Sequence, residues 1–230
     1  MVDMDAEKGN TRIERFLFSV RLGGIFFPLG FSEITQLLDK AGFILAAALK
    51  DRLPSVPAGG RLVVGGRIAE KGDLSFNVDP NRGVITVEGR SIRNVITDFN
   101  AIEDLARQEF AVDFSQERQF YEIIADLTIT VYKNPIETVG ELFSDSKVLS
   151  DFSTILEEEV GNYGVRLVKK EQLPNEEEWF EYRIEPLVEK PRNTYHSNVI
   201  YRSKDKDKVI KTATELIKRV GQLISTMEQL

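Results

Sequence analysis

The stretch 119–133, QFYEIIADLTITVYK, constrains this chain more than any other, because there the chain starts over. Its second half, Leu127-Thr-Ile-Thr-Val-Tyr-Lys133, repeats the alternation of Phe16-Leu-Phe-Ser-Val-Arg-Leu22. The elements predicted after each copy then come in one order. A fold for this chain has to accommodate two such strands, each with the same succession of elements behind it.

Residues 13–22 put Phe16, Phe18, Val20 and Leu22 on one face and Leu17, Ser19 and Arg21 on the other, the period of a half-buried strand. After a glycine-bounded break at 23–30, Ser32 reads as an N-cap. Ile34, Leu37, Leu38, Ala41, Ile44, Leu45, Ala48 and Leu49 at helical spacing then predict a helix over 32–53, ended by the Pro- and Gly-containing 54–60. Runs 61–69, 74–79 and 84–89, separated by the turn-like Glu70-Lys-Gly-Asp73 and Pro80-Asn-Arg-Gly83, predict an antiparallel meander. A second helix covers 94–110. In the second half, Asn134-Pro135 opens a helical region to about residue 160, broken near 144–150. Runs 165–170, 179–186 and 194–202 supply three more strands, and 204–227 is a helix with a wide apolar stripe from Val209 to Ile224.

Short anchors recur in register: Phe31-Ser32 with Phe143-Ser144, Arg61-Leu-Val63 with Arg166-Leu-Val168, Arg90-Ser91 with Arg202-Ser203, and Phe76-Asn-Val-Asp-Pro80 with Tyr182-Arg-Ile-Glu-Pro186. Four anchors in one order read as a gene duplication. They divide the chain into a flexible tail (1–11), a first half (12–114) and a second half (115–230) within one pseudo-twofold domain. Folding each meander through its first turn sets Arg61 opposite Asp79 and Arg166 opposite Glu185. Such cross-strand ion pairs contribute about 0.2–1 kcal/mol and serve register.

A duplicated unit of strand, helix, meander and closing helix resembles the TATA-box-binding-protein-like fold. The resemblance covers the chain from Ile13 onward and lives in the order of its elements. It implies an α+β fold in which two β-α-β-β-β-α units form one curved antiparallel sheet with helices on one face. Each half here has four predicted strands where that fold has five. The basic sheet and paired wedging phenylalanines of its DNA-binding members have no counterpart in this sequence.

With 42% hydrophobic and 29% charged residues, the 230-residue chain has the composition of a folded protein. A net charge of -7 weighs against a uniform nucleic-acid surface. The absence of cysteine removes disulfides, thiolate nucleophiles and cysteine-ligated zinc, and suits the reducing cytoplasm. Residues 1–11 lack the pattern of a signal peptide. The most apolar window, 43–49, is far short of the roughly 20 residues that span a bilayer, so no membrane is expected.

His196 is the only histidine, so no two-histidine metal site can form. It shares a strand face with Thr194, Asn198 and Ile200, and Glu181, Arg183 and Glu185 on the neighbouring strand can lie near it, forming a polar site with a titratable group. The commoner use of such a histidine is in an ion-paired sheet surface. Thr128, Thr130 and Tyr132 form the polar face of the restart strand, midway along any shared groove. The loop 23–30 presents Phe26 and Phe27 for packing under the sheet or contact with a partner. Gly65-Gly66 inside a strand suggests a bulge. The triplets Glu157-Glu-Glu159 and Glu176-Glu-Glu178 lack calcium-loop spacing and read as solvated charge, as does the Lys/Asp-interleaved 202–211. No phosphate-loop, nucleophile-elbow, zincin or kinase pattern occurs.

The leading expectation is a non-enzymatic binding or assembly module without catalytic residues, metal or cofactor. Its partner would be a protein or a second copy of itself, met through exposed sheet edges or the Phe26-Phe27 loop. A second reading is a small-molecule binder or enzyme with a pocket between sheet and helices, His196, Glu181 and Arg183 at its mouth. A third, a nucleic-acid saddle, requires Arg21, Arg61, Arg67, Arg166, Lys170 and Arg183 to converge on one surface.

Overall fold

In the computed structural model of this chain the described residues are 10–23, 28–46 and 66–229. The elements in chain order are β1 (Thr11–Leu22), α1 (Phe31–Lys40), β2 (Ile44–Leu45), β3 (Gly66–Lys71), β4 (Leu74–Asp79), β5 (Val84–Gly89), α2 (Ile92–Phe110) and α3 (Phe114–Glu117). They continue with β6 (Arg118–Thr130), α4 (Pro135–Glu141), α5 (Lys147–Leu156), β7 (Val165–Val168), β8 (Trp179–Pro186), β9 (Thr194–Ser203), α6 (Lys206–Thr214) and α7 (Leu216–Gln229).

Among the described residues the strands form a single nine-stranded sheet in the order β2-β3-β4-β5-β1-β6-β9-β8-β7, antiparallel throughout and not closed. Its seam is β1 against β6, paired from Thr11 opposite Ile129 to Leu22 opposite Arg118. Alternation decides which side of the seam is buried. Phe16, Phe18 and Val20 of β1 and Tyr121, Ile123, Ala125 and Leu127 of β6 are at most 1% exposed, while their neighbours in sequence face the other way. Helices α1, α2, α6 and α7 supply the matching apolar residues, among them Leu37, Leu38, Phe99, Ile102, Val209 and Val220. Phe18 and Phe99 meet with ring centroids 4.7 Å apart, and both contact the Tyr121 ring, which fixes α2 against both strands of the seam.

Polar contacts join the same elements. Glu103 of α2 accepts a hydrogen bond from the Tyr121 hydroxyl (2.6 Å) and an ion-paired one from Lys206 of α6, whose ammonium also lies over the Phe99 and Tyr121 rings. One carboxylate thus ties a helix from before the seam to a helix from the chain's end. At the far side, Lys71 donates to the Ala41 carbonyl (3.0 Å) and to Asp98 of α2 (2.5 Å), holding the end of α1 down.

Several expectations need correction. The helix expected over 32–53 stops at Lys40. Gly42 takes a left-handed φ of +78°, Phe43 N–H closes back on the Leu38 carbonyl (2.8 Å), and Ile44–Leu45 then pair with β3 as a fifth strand of the first half. Residues 47–65, with the rest of that helix, Arg61 and Gly65, lie outside the described residues. Gly30, not Ser32, is the N-cap, its N–H held by the Glu33 carboxylate at 2.6 Å. The helix expected over 204–227 is two, divided at Glu215, where the Thr214 hydroxyl donates back to the Lys211 carbonyl. Arg166 stands opposite Arg183, not Glu185, because the β7–β8 connection spans 169–178 and moves the register; Glu181, on the diagonal, neutralises it at 2.9 Å.

Candidate functional site

The face of the sheet away from those helices carries rows of polar residues set by register. Across β1, β6, β9 and β8 one row reads Arg15, Asp126, Asn198, Arg183, and the next Arg12, Thr128, His196, Glu185. Asn198 donates to Asp126 (2.7 Å), and Arg15 lies 3.8 Å from both Asp126 and Glu88 of β5. The Thr128 hydroxyl donates to Glu14 (3.0 Å), which also pairs with Arg12. His196 sits between two carboxylates, Nε2 3.8 Å from Asp126 and Nδ1 3.7 Å from Glu185, with about a quarter of its side chain exposed at 26%.

The expected residues gather only in part. Thr128, His196, Asn198, Glu181 and Arg183 share this face, and Arg183 leans toward Glu185 at 3.8 Å. Thr130 is the last residue of β6, opposite Thr194 and exposed. Tyr132 does not belong to the face. Val131 N–H bonds to the Asn193 carbonyl, the chain turns toward the Asn134 cap of α4, and the Tyr132 side chain is left 92% exposed beyond the strand. Phe26 and Phe27 lie outside the described residues.

Arg202 and Glu178 carry contacts that residue spacing did not assign. Arg202 donates to Glu122 of β6 (2.5 and 2.8 Å) and to the carbonyls of Pro174 and Glu176 (each 2.9 Å), with its guanidinium 4.2 Å from the Phe120 ring centroid. Glu178 accepts from the Ser203 hydroxyl (2.8 Å) and the Lys204 N–H (3.0 Å), and Glu177 pairs with Lys204. The triplet Glu176-Glu-Glu178 is therefore a clamp on the end of β9, not solvated charge. Its sequence signal was the complementary Arg202-Ser-Lys204.

The basic residues required for a nucleic-acid saddle that lie among the described residues are each beside another group. Arg67 pairs with Glu70 (3.4 Å), Arg166 with Glu181, and Lys170 with Glu171 (3.6 Å), while Arg21 stacks over Phe120; Arg61 lies outside the described residues. Among the described residues no cluster of three or more His, Asp or Glu side chains could hold a metal ion. No helix among them is long and apolar enough to cross a membrane.

The opposite face offers a groove between β7–β8 and α7. Two connected hollows of about 460 and 270 Å³ share Leu167, Leu223 and Thr226, with Phe180, Tyr182 and Arg219 at one end and Phe143 and Met227 at the other. His196, Glu181 and Arg183 are not at its mouth, because strand alternation puts them on the other side of the sheet from Tyr182 and Phe180. Burial pushes the Tyr182 hydroxyl above its usual range, against the pull of Arg219. Arg219 is engaged by Glu215 (2.7 Å), a hydrogen bond that holds the Glu215 carboxyl below the ordinary carboxylate range. The groove is thus apolar with a neutralised cation at one end. No protein-family model matches the chain, and no curated protein matches it.

Proposed function

We propose that the chain is a non-enzymatic binding or assembly module that presents the open sheet face to a protein partner or to another copy of itself. The observation that carries this reading is the cross-strand array Arg15, Asp126, Asn198, Arg183 with His196 between Asp126 and Glu185. Its charges alternate in sign, are held by neighbours on rigid strands, and stay partly exposed on the face away from the core helices. An alternating pattern of this kind suits a macromolecular surface of complementary pattern. The absence of cysteine supports a cytoplasmic location.

The same reading includes a duplicated origin and one curved sheet of the TATA-box-binding-protein-like kind. Its support is the strand order, in which β5, β4 and β3 lie outward from β1 as β9, β8 and β7 lie outward from β6. The groove beside α7 supports a second reading, a site for a small apolar ligand.

The test is capture from host extract by the native chain and by an Asp126→Lys/Arg183→Glu variant, with the retained material identified by mass spectrometry. A protein held by the native chain and released by the variant is the expected result. A retained small molecule, indifferent to the variant, selects the groove reading, and retained nucleic acid selects the saddle. Identical protein retention by both chains contradicts the open-face reading.

A further inference from the structure

Among the described residues, most of the exposed large apolar side chains fall between Phe143 and Leu173, at the β7 end of the sheet. Helix α5 is amphipathic yet buries no residue: Val148, Phe152 and Ile155 are 56%, 50% and 73% exposed. It begins four residues after Phe143, which lines the apolar groove together with Leu167 and Leu223. Phe143, Val148, Phe152, Ile155, Leu156 and Leu167 each leave 36% or more of their surface to solvent, so a partner that covers them removes apolar surface from water.

The strand β7 is also a free edge, since among the described residues it pairs with β8 alone. Lys169 N–H bonds to the Phe180 carbonyl, so by antiparallel alternation Val165 and Leu167 bond inward while Arg166 and Val168 turn N–H and C=O outward. This restricts what a second β7 can do. Centred on Arg166, an antiparallel pair sets two arginines face to face. Centred on Leu167, it hydrogen-bonds Arg166 with Val168 of the other copy in both directions and brings the two Leu167 side chains together on the groove side. The patch is then self-complementary, as a twofold interface requires.

We propose that this end is a homodimer interface, in which β7 pairs antiparallel with β7 of a second copy about an axis at Leu167, and the groove and α5 face of each copy are covered by the other. This goes beyond the open-face reading above, because it assigns self-association to a separate surface. A second copy is favoured over a foreign strand because the Leu167-centred register satisfies the outward groups of Arg166 and Val168 in both copies at once and sets the two Leu167 side chains against each other.

The test uses the full chain. Sedimentation should give a concentration-dependent dimer, weakened about tenfold or more by Phe152→Ser/Ile155→Ser while the circular dichroism spectrum is unchanged. The chain has no cysteine, so Leu167→Cys introduces a single thiol. At a non-hydrogen-bonded antiparallel position the two Cα atoms lie about 4.5 Å apart, within disulfide range, and mild oxidation should link the copies, whereas Arg82→Cys in the β4–β5 turn should not link. A native chain monomeric at every concentration overturns the proposal. So does a dimer insensitive to Phe152→Ser/Ile155→Ser that Leu167→Cys does not link, or a foreign protein on this edge in place of the second copy. Retention of a partner sensitive to Asp126→Lys/Arg183→Glu by a monomeric chain would leave the open-face reading intact while this one fails.

Discussion

Helices α1 and α5 each come after the leading strand of their half, and each carries one apolar face; only α1 uses it within the chain. Ile34, Leu37 and Leu38 are at most 1% exposed, whereas Phe152 and Ile155 of α5 are half exposed or more. The difference lies in the segment on the C-terminal side of each helix. Beyond α1 the left-handed Gly42 turns the chain into β2, and Lys71 clamps that turn to Asp98. Beyond α5 the chain leaves through a left-handed Glu157 and an exposed acidic stretch, and reaches the edge strand β7 without pairing on the way. Amphipathic spacing announces an apolar face but not what covers it.

The sharpest way to break this contrast is to truncate both helices. In dilute solution Leu38→Ala should cost about 2–5 kcal/mol through lost burial and a cavity, and Phe152→Ala should stay within about 0.5 kcal/mol as an exposed change. Urea unfolding midpoints of the two variants decide it; equal losses would mean that α5 is packed after all. Next in size is the seam. Glu103→Ala removes the acceptor of Tyr121 and Lys206 and should cost about 1–3 kcal/mol, read by calorimetry as a lower Tm of one cooperative transition.

The halves also differ in titration, because all six tyrosines lie in the second. Burial pushes the Tyr121, Tyr182 and Tyr195 hydroxyls above their ordinary value near 10, with the Glu103 hydrogen bond adding to the effect at Tyr121. A raised pKa means that the unfolded chain loses these protons first. Stability is therefore fully present below about pH 10 and declines above it. Phe at all three positions should flatten that alkaline decline in urea titrations; an unchanged slope would assign it to other groups. The smallest effect belongs to the open face, where Arg183→Ala should move stability by no more than about 0.5 kcal/mol, since its partner Glu185 is 3.8 Å away and both are partly solvated.

Much of the fold was legible in the residues. Alternation marked β1, β6 and β9 within a residue or two at most ends, and turn chemistry marked β4–β5. What was not legible has particular causes. Ala41, Ile44 and Leu45 continue a helical spacing, and only the conformation of Gly42 reveals that the helix has ended. The β7–β8 connection has no tight-turn signature, so the Arg166 register could not be read from it. Thr128, His196, Asn198, Glu181 and Arg183 shared a face as their parity implied, because β6, β9 and β8 stay in register along that stretch. Tyr132 failed because parity ends where the strand does. Arg202 and the apolar groove depend on loops and on the angle of a helix, neither of which periodicity encodes.

The most direct test of the contrast between the packed face of α1 and the exposed face of α5 beside β7 is amide hydrogen exchange at β7 as a function of protein concentration. The Arg166 and Val168 amides should gain protection as concentration rises, while amides of β1 and α2 do not change. Equal exposure of Arg166 and Val168 from dilute to concentrated solution would contradict the account.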